Sequence, residues 1–216
     1  MPKFSVSVRS VGRLSLYRRL LDSLHAEGTR NVYSHELAAL AGSTAAQVRR
    51  DLMAIGYSGS PNRGYQVAEL LASIRQFVDS PHGQRVVLVG VGNLGRALLA
   101  YFSGRRPNLS IVAAFDNDPE KIGRVIHRCR CHPLNELEAV ARQMDVSLGI
   151  ITVPAEAAQD VAGRLVAAGV HGLLNFAPVR VRVPHNVYVE DIDMTISLEK
   201  AAYFARLHMT EGNPPA

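Results

Sequence analysis

The chain of 216 residues is 47% hydrophobic and 20% charged, with 2 cysteines and a formal net charge of +5. This composition is sufficient for a buried core and excludes a disordered chain or a disulfide scaffold. No apolar run approaches the roughly 18–20 residues that cross a bilayer, and residues 1–20 lack the apolar stretch of a secretory signal. We therefore expect a soluble, cytoplasmic protein.

The positive charge is concentrated in the N-terminal third. Residues 1–80 contain 10 basic and 6 acidic side chains, a net of +4, whereas residues 81–216 contain 14 and 13, a net of +1. A basic domain favours an anionic partner, of which nucleic acid is the commonest. Charge alone is equally typical of a solvated basic domain, so a sharper signal is needed.

The first part of the chain has helical periodicity and ends at a polar boundary near Asp79–Gln84. Two short helices joined by a tight turn, followed by a turn-rich loop, have the spacing of a helix-turn-helix with a wing. We therefore predict a winged helix-turn-helix DNA-binding domain at residues 1–80. Its predicted elements are a helix of leucines from Leu14 to Leu24, helices Ser34–Gly42 and Ser43–Ile55, the loop Tyr57–Tyr65, and the helix Val67–Phe77.

The second of the two short helices contains the side chains expected to read DNA. Gln47 and Arg50 are predicted to point away from its apolar face, with Arg49 on a flank. Glutamine matches adenine and arginine matches guanine by bidentate hydrogen bonds in the major groove. Arg63, in the predicted wing, would lie near the DNA backbone or minor groove. The alternative is an ordinary solvated helix face.

Beyond the boundary, apolar strands alternate with amphipathic helices. This alternation is typical of a doubly wound parallel sheet, which we predict at residues 81–194, with one further helix in residues 195–216. The predicted strands are Val86–Val89, Leu109–Phe115, Val146–Val153, Leu173–Phe176 and Val187–Val189; the predicted helices are Leu94–Phe102, Leu134–Gln143, Glu156–Ala168 and, last, Ser197–Leu207.

A glycine-rich motif follows the first of these strands and opens the next helix. It reads Gly90-Val91-Gly92-Asn93-Leu94-Gly95, and Asp116 comes 21 residues after Gly95 at the end of the second strand. These residues in this context form a dinucleotide-binding fingerprint, in which the helix N-terminus receives the pyrophosphate and the carboxylate receives the ribose hydroxyls. A carboxylate at Asp116 favours NAD(H) over NADP(H).

The sequence gives no sign of a catalytic site. Its histidines are scattered, and the segment after the sheet is too short for a catalytic domain, so we expect the nucleotide to be a regulatory ligand rather than a reagent. Two alternatives stay open: an NAD-dependent oxidoreductase with a small accessory domain, and a DNA-binding regulator that senses another nucleotide or coenzyme A. No catalytic residue and no metal site is predicted.

A winged helix-turn-helix followed by a Rossmann domain resembles the Rex family of redox-sensing transcriptional repressors along nearly the whole chain. The most specific stretches are Ala45–Leu52, Gly90–Gly95, Phe115–Pro119, Asn175–Pro178 and Val189–Asp193. The resemblance implies a homodimer whose C-terminal helix is exchanged with the partner. It also implies binding of inverted-repeat operator DNA in an NAD⁺-compatible form and release of that DNA when NADH binds.

The resemblance also implies roles for single residues. Gln47, Arg49 and Arg50 fall at the DNA, and Gly90–Gly95 with Asp116 at the cofactor. Tyr101 falls where the family has a tyrosine near the nicotinamide. Asp193 matches an acidic residue of the partner subunit that meets this tyrosine or an arginine of the DNA-binding domain, for which Arg19 is the candidate. Tyr101 as a plain surface aromatic and Asp193 as a helix cap are the alternatives.

Three segments depart from the family pattern: the opening helix at Leu14–Tyr17, the wing at Ser60–Tyr65, and His127–His132. In the last of these, Cys129 and Cys131 would share one side of an extended segment, with the arginines on the other. We expect a surface loop or edge strand, where flanking arginines would lower the pKa of a thiol. A thiol switch and a metal site stay open as alternatives.

Overall fold

A computed structural model describes residues 6–60, 62–104 and 108–211. Residues 1–5 of the predicted N-terminal domain, Pro61 of the predicted wing and residues 212–216 of the C-terminal segment lie outside the described residues. The chain divides into two compact units, Met1–His82 and Gly83–Ala216. Each unit has its own hydrophobic core.

The N-terminal unit is a helical domain with a small two-stranded sheet. Leu14, Tyr17, Leu21, Leu52 and Ile74 are fully buried in its core, because the apolar positions of the helices recur at helical spacing. Its elements are α1 (Val8–Ala26), β1 (Asn31–Val32), α2 (Ser34–Ala41), α3 (Ala45–Ala54), β2 (Tyr65–Gln66) and α4 (Val67–Val78).

Helices α2 and α3 form the predicted helix-turn-helix. Gly42 ends α2, and the side chain of Thr44 caps α3 by accepting a hydrogen bond from the N–H of Gln47 at 3.2 Å. Tyr33, which is not a typical capping residue, takes the N-cap position of α2. Glu36, three residues later, accepts from the N–H of Tyr33 at 2.7 Å.

The wing leads into β2, which pairs antiparallel with β1 so that Val32 lies opposite Tyr65. Ser60 and Gly64 form a further antiparallel bridge at its tip. The hydroxyl of Tyr33 donates to the carbonyl of Asn62 at 3.1 Å. The start of α2 therefore holds the wing in place.

The C-terminal unit contains the predicted doubly wound sheet. Seven strands lie in the order β5-β6-β4-β3-β7-β8-β9, all parallel except β5, which runs antiparallel to β6. The six parallel strands have the order of dinucleotide-binding domains. The strands are β3 (Gln84–Val89), β4 (Leu109–Asp116), β5 (Val125–Ile126), β6 (Cys129–Pro133), β7 (Val146–Ile151), β8 (Gly172–Asn175) and β9 (Tyr188–Asp191); the helices are α5 (Asn93–Phe102), α6 (Leu137–Gln143), α7 (Ala155–Ala167) and α8 (Met194–Glu211).

The two faces of this sheet are covered unequally. Helices α6 and α7 pack on one face, where Leu137 and Leu165 join a core with Phe115. On the other face, Leu99 of α5 packs with Val86 and Leu88. An apolar hollow of about 240 Å³ remains on that second face, between β3, β4 and the strands β7–β9.

Helix α8 is exposed along its described side chains, including large apolar ones such as Leu198 and Phe204. It begins three residues earlier than predicted, because the carboxylate of Asp193 accepts a hydrogen bond from the N–H of Ile196 at 2.9 Å and caps it. In the described part of the chain no helix is long and apolar enough to cross a membrane.

Candidate functional site

The glycine loop between β3 and α5 is closed by backbone contacts that leave no room for side chains at two of its glycines. Gly90 has a φ of +99°, and a Cβ there would lie 2.6 Å from the carbonyl oxygen of Thr152. A Cβ on Gly95 would overlap the carbonyl oxygen of Gly90. At Gly92 a Cβ would meet no atom within 4 Å. The loop thus has an open side at Gly92, next to the N-terminus of α5.

Asp116 binds the glycine loop directly. Its carboxylate accepts hydrogen bonds from the N–H of Val91 at 2.7 Å and from the N–H of Asp118 at 2.9 Å, and Nζ of Lys121 lies 3.2 Å away. Lys121 also lies 3.2 Å from Asp118. Burial acts to lower the pKa of Lys121, but the two carboxylates outweigh it and raise that pKa. Two carboxylates and one ammonium leave a net negative charge, which disfavours a 2′-phosphate.

The glycine loop and Asp116 line a cleft of about 410 Å³ at the carboxyl ends of the parallel strands. This is where open α/β sheets bind their ligands. Of the predicted cofactor residues, the structure brings Gly90, Gly92 and Asp116 together here, whereas Val91 is buried under the loop. The residues of the lining that the prediction did not assign to the cofactor include Asn117, Lys121, Thr152, Val153 and Pro154.

Thr152 was detectable from the sequence, because it directly follows β7 and the carboxyl ends of adjacent parallel strands converge. Its hydroxyl donates to the carbonyl oxygen of Gly90 at 2.7 Å and so fixes the loop. Asn93, Leu94 and Gly95 form the first turn of α5 beside the cleft without lining it.

Tyr101 lies at the far end of α5 and does not line this cleft. It is the ninth residue of the helix, about 12 Å along the axis from Asn93 at 1.5 Å per residue. Its ring is half-exposed and packs edge-on against Phe102, with the ring centres 5.0 Å apart. Within one chain, the structure does not bring Tyr101 to the glycine loop.

Helix α3 presents two exposed arginines. Nη1 of Arg49 donates to the hydroxyl of Ser34 at 3.1 Å, and Nη2 of Arg50 donates to Oε1 of Gln47 at 2.7 Å. Gln47, predicted to point away from the apolar face of α3, is half-buried, and its Nε2 donates to Asp51 at 3.0 Å.

Asp51, in the same helix, is a further residue for which the sequence predicted no role. It is buried, and its carboxylate accepts two hydrogen bonds from Arg13, at 2.6 and 2.7 Å, and one from the hydroxyl of Tyr17 at 3.1 Å. Burial acts to raise the pKa of Asp51, but the bonds from Arg13, Gln47 and Tyr17 outweigh it and lower that pKa. Asp51 stays ionised at neutral pH.

Arg63 lies in the wing with its side chain exposed. Its carbonyl oxygen accepts a hydrogen bond from Nδ2 of Asn31 at 2.8 Å, so β1 holds the backbone that carries it. Arg19 lies in α1 and is also exposed. Asp193 caps α8, the alternative role considered for it, and the cap leaves its second carboxylate oxygen outside that bond.

The two cysteines are buried, which corrects the expectation of a surface loop or edge strand. Cys129 and Cys131 lie in β6, one strand in from the edge, and pack in the core beside α5. Burial raises the pKa of Cys129 to about 11, the opposite of the lowering expected from the flanking arginines. Within the described residues, no group of three or more His, Cys, Asp or Glu side chains is placed to hold a metal ion.

Two family models match the chain. One, described as a CoA binding domain, matches residues 82–179, and the other, described as a putative DNA-binding protein N-terminus, matches residues 5–52. The redox-sensing transcriptional repressor Rex of Carboxydothermus hydrogenoformans is 43% identical over 206 residues, which cover 95% of this chain and 99% of that protein.

The chain is also similar to solved structures of RSP, a Rex-family repressor, at 30% identity. The match to RSP in complex with beta-NADH has a TM-score of 0.85 and covers 96% of each chain. RSP in complex with beta-NAD⁺ and operator DNA has a TM-score of 0.87 and covers 95% of this chain and 94% of that one.

Proposed function

Because the chain belongs to the Rex family of redox-sensing transcriptional repressors, we propose that it binds an inverted-repeat operator as a homodimer and that NADH releases it from the DNA. The observation that carries this proposal is the similarity along 95% of the chain to RSP, which was solved with beta-NAD⁺ and operator DNA. The chain contains a nucleotide cleft in one unit and a helix-turn-helix in the other.

The cleft fits a dinucleotide. The open space at Gly92 leaves room for a pyrophosphate beside the free N–H groups of the first turn of α5. The carboxylate of Asp116 lines the same cleft, where it would accept hydrogen bonds from ribose hydroxyls. We assign Gly90–Gly95 and Asp116 to NAD(H), with Tyr101 near the nicotinamide in the assembled dimer.

Helix α3 and the wing carry the residues assigned to DNA. Arg49 and Arg50 are exposed on the second helix of the helix-turn-helix, the element that enters the major groove in this motif. Arg63 extends from the wing, where a contact with the backbone or minor groove is expected. Gln47 belongs to the same surface through its hydrogen bond to Arg50.

The homodimer is supported by exposed apolar surface within the described part of the C-terminal unit. Leu198 is 71% and Phe204 57% exposed in α8, and the hollow beside β7–β9 is lined mainly by apolar side chains. Exposed apolar surface of this extent typically marks an interaction site. We propose that α8 packs against the other subunit.

When bound, NAD(H) presents a nicotinamide ring that is cationic if oxidised and neutral if reduced. A ligand shifts a two-state equilibrium only if it binds the two states with different affinity. We propose that this difference in affinity arises at a contact between Arg19 of one subunit and Asp193 of the other, because their opposite charges attract. The two α3 helices must match half-sites one helical repeat apart, about 34–36 Å, so a change in the subunit angle would release the DNA.

We propose that the nucleotide is a ligand and that the protein is a regulator rather than an enzyme, acting in the cytoplasm where the operator lies. The charged groups that line the cleft support this, because Asp116 and Lys121 are bound to each other. The match to a CoA binding domain favours coenzyme A as a second candidate ligand. An oxidoreductase would instead turn over NADH without binding DNA.

Fluorescence anisotropy of a labelled operator tests the proposal, using an inverted repeat selected by the protein from random duplex DNA. Micromolar NADH is expected to release the DNA, while the same concentrations of NAD⁺ or coenzyme A leave it bound. Release by coenzyme A alone would show that coenzyme A, not NADH, is the regulatory ligand. DNA binding that none of the three compounds changes would show that none of them is the ligand. NADH consumption without DNA binding would overturn the repressor proposal.

A further inference from the structure

Helix α3 is tied to α1 through one buried carboxylate. Asp51 accepts two hydrogen bonds from Arg13 and one from Tyr17, and it also binds Nε2 of Gln47. Gln47 in turn binds Arg50. These five residues, which we name the Asp51 network, connect the interior of the domain to an exposed arginine of α3.

The chemistry of the network fixes the orientation of the Gln47 amide. The ionised carboxylate of Asp51 only accepts hydrogen bonds, so it must face the amide nitrogen of Gln47. The guanidinium of Arg50 only donates, so it must face the amide oxygen. Reversing the amide would place its oxygen against the carboxylate of Asp51, two acceptors, and its nitrogen against the guanidinium of Arg50, two donors. Gln47 therefore has one favourable orientation, with its nitrogen on the buried carboxylate and its oxygen on the exposed arginine.

This arrangement separates the tasks of Gln47 and Arg50. Bidentate reading of adenine needs the amide oxygen and nitrogen of a glutamine to face one base together, whereas Gln47 directs its nitrogen to the buried Asp51 and its oxygen to Arg50. Arg50 has five N–H donors, of which the bond to Gln47 uses one. The remaining donors of its fork match the O6 and N7 acceptors of guanine.

We propose that Asp51 and Gln47 are positioning residues that hold Arg50 for reading a guanine, and that Gln47 does not read a base of its own. This inference rests on the proposed DNA-binding function. A long side chain that is ordered before binding loses less conformational entropy on the DNA. Because Arg13 of α1 binds Asp51, the network fixes Arg50 relative to the rest of the domain.

A double-mutant cycle of the full-length protein tests this, with binding sites selected from random duplex DNA for the wild type, Gln47→Ala, Arg50→Ala and the double variant. Gln47→Ala is expected to weaken binding about tenfold and to relax the preference at the same guanine as Arg50→Ala. In the Arg50→Ala background, Gln47→Ala should have little further effect. If Gln47→Ala instead relaxes a separate adenine position, or the two effects add, Gln47 is an independent reader and the proposal is overturned.

Asp51→Asn provides a second approach through the buried end of the network. We expect Asp51→Asn to relax the base preference at the guanine that Arg50 reads, as Gln47→Ala does, and to leave the affinity for NADH unchanged. Asp22→Asn is the matched control, because it removes an exposed ion pair between α1 and Arg75 of α4 in the same unit. A merely destabilised variant would lower affinity for every site equally, so an unchanged base preference in Asp51→Asn would contradict the positioning role. Binding of the wild-type protein to DNA is measured separately in the anisotropy experiment, so a failure of the proposed function is distinguished from a failure of this inference.

Discussion

The three glycines of the glycine loop differ in the physical role of their missing side chains. Gly90 needs a positive φ and the close approach of Thr152, whereas Gly95 touches the backbone of Gly90. A methyl group at either would disturb the protein itself. Gly92 differs, because its missing side chain leaves a space into which the cleft opens. Its role can therefore be tested without unfolding the loop.

Gly92→Ala is expected to leave the free energy of unfolding unchanged and to weaken NADH binding by about tenfold or more, because the methyl group would occupy the approach of the pyrophosphate. Calorimetric titration and thermal unfolding measure the two quantities. Gly163→Ala, at an exposed position of α7 with open space, is the control and should leave NADH affinity intact. Unchanged NADH affinity in Gly92→Ala would place the pyrophosphate elsewhere.

The buried thiols give the C-terminal unit a definite pH dependence. The pKa of Cys129 rises from 9.0 to about 11 on burial, so the folded state favours the neutral thiol. The stabilisation is complete below pH 9 and is lost as the pH rises through 11. Relative to Cys129→Ala, the wild type should lose about 1 kcal/mol of unfolding free energy per pH unit in this interval. Denaturant unfolding at pH 8, 9, 10 and 11 measures it; parallel curves would contradict a buried neutral thiol.

At the level of single residues, the sequence predicts local geometry better than distant partners. The glycine fingerprint lies within six consecutive residues, and its strand-to-helix context could be predicted from local patterns. The orientation of Gln47 could not, because Asp51 is bound by Arg13 and Tyr17, which lie 38 and 34 residues earlier. Only the packing of α1 against α3 brings them together.

Among the elements, β6 is one whose alternation of side chains was predicted correctly but whose position in the sheet was not. The predicted alternation is confirmed, with Cys129 and Cys131 on one side and Arg130 exposed on the other. The surface position was wrong because the short strand β5 pairs outside β6, and α5 covers the cysteine side. A two-residue strand is too short to recognise by periodicity.

At the start of α8, the cap and the proposed switch are carried by the same residue and are separable by mutation. Asn caps a helix as well as Asp, so Asp193→Asn should keep the helix while removing the charge. We expect this variant to bind operator and NADH normally but to need at least about fivefold more NADH for release, as measured by anisotropy. Such a shift corresponds to about 1 kcal/mol of lost coupling between the two ligands.

Asp193→Ala is the companion variant, because it removes both the cap and the charge. It should lower the helix content seen by circular dichroism, at a cost of about 1 kcal/mol, and also impair release. If Asp193→Asn releases DNA like the wild type and only Asp193→Ala fails, the residue acts as a cap alone.

In the whole molecule, charge and ligand chemistry are divided between the two units. Residues 1–80 carry a net charge of +4 and residues 81–216 a net of +1. A basic N-terminal unit attracts DNA. The nearly neutral remainder contains the cleft, whose charged lining residues are Asp116 and Lys121. The link between the two activities is therefore expected to depend on the dimer, whose geometry the ligand state would bias.

Apolar side chains of α8 are the expected source of that dimer. Replacing Leu198 and Phe204 together by glutamate keeps good helix formers but places charges among the exposed apolar side chains, so a monomer is expected in light scattering at micromolar concentration. A monomer engages a single half-site and should lose at least about 100-fold in operator affinity, because the second contact is no longer intramolecular. Val125→Glu, at a residue 70% exposed on β5, is the matched control and should stay dimeric. A dimer that persists in the double variant would mean that another surface joins the subunits, and α8 would then have no part in assembling the operator-binding form.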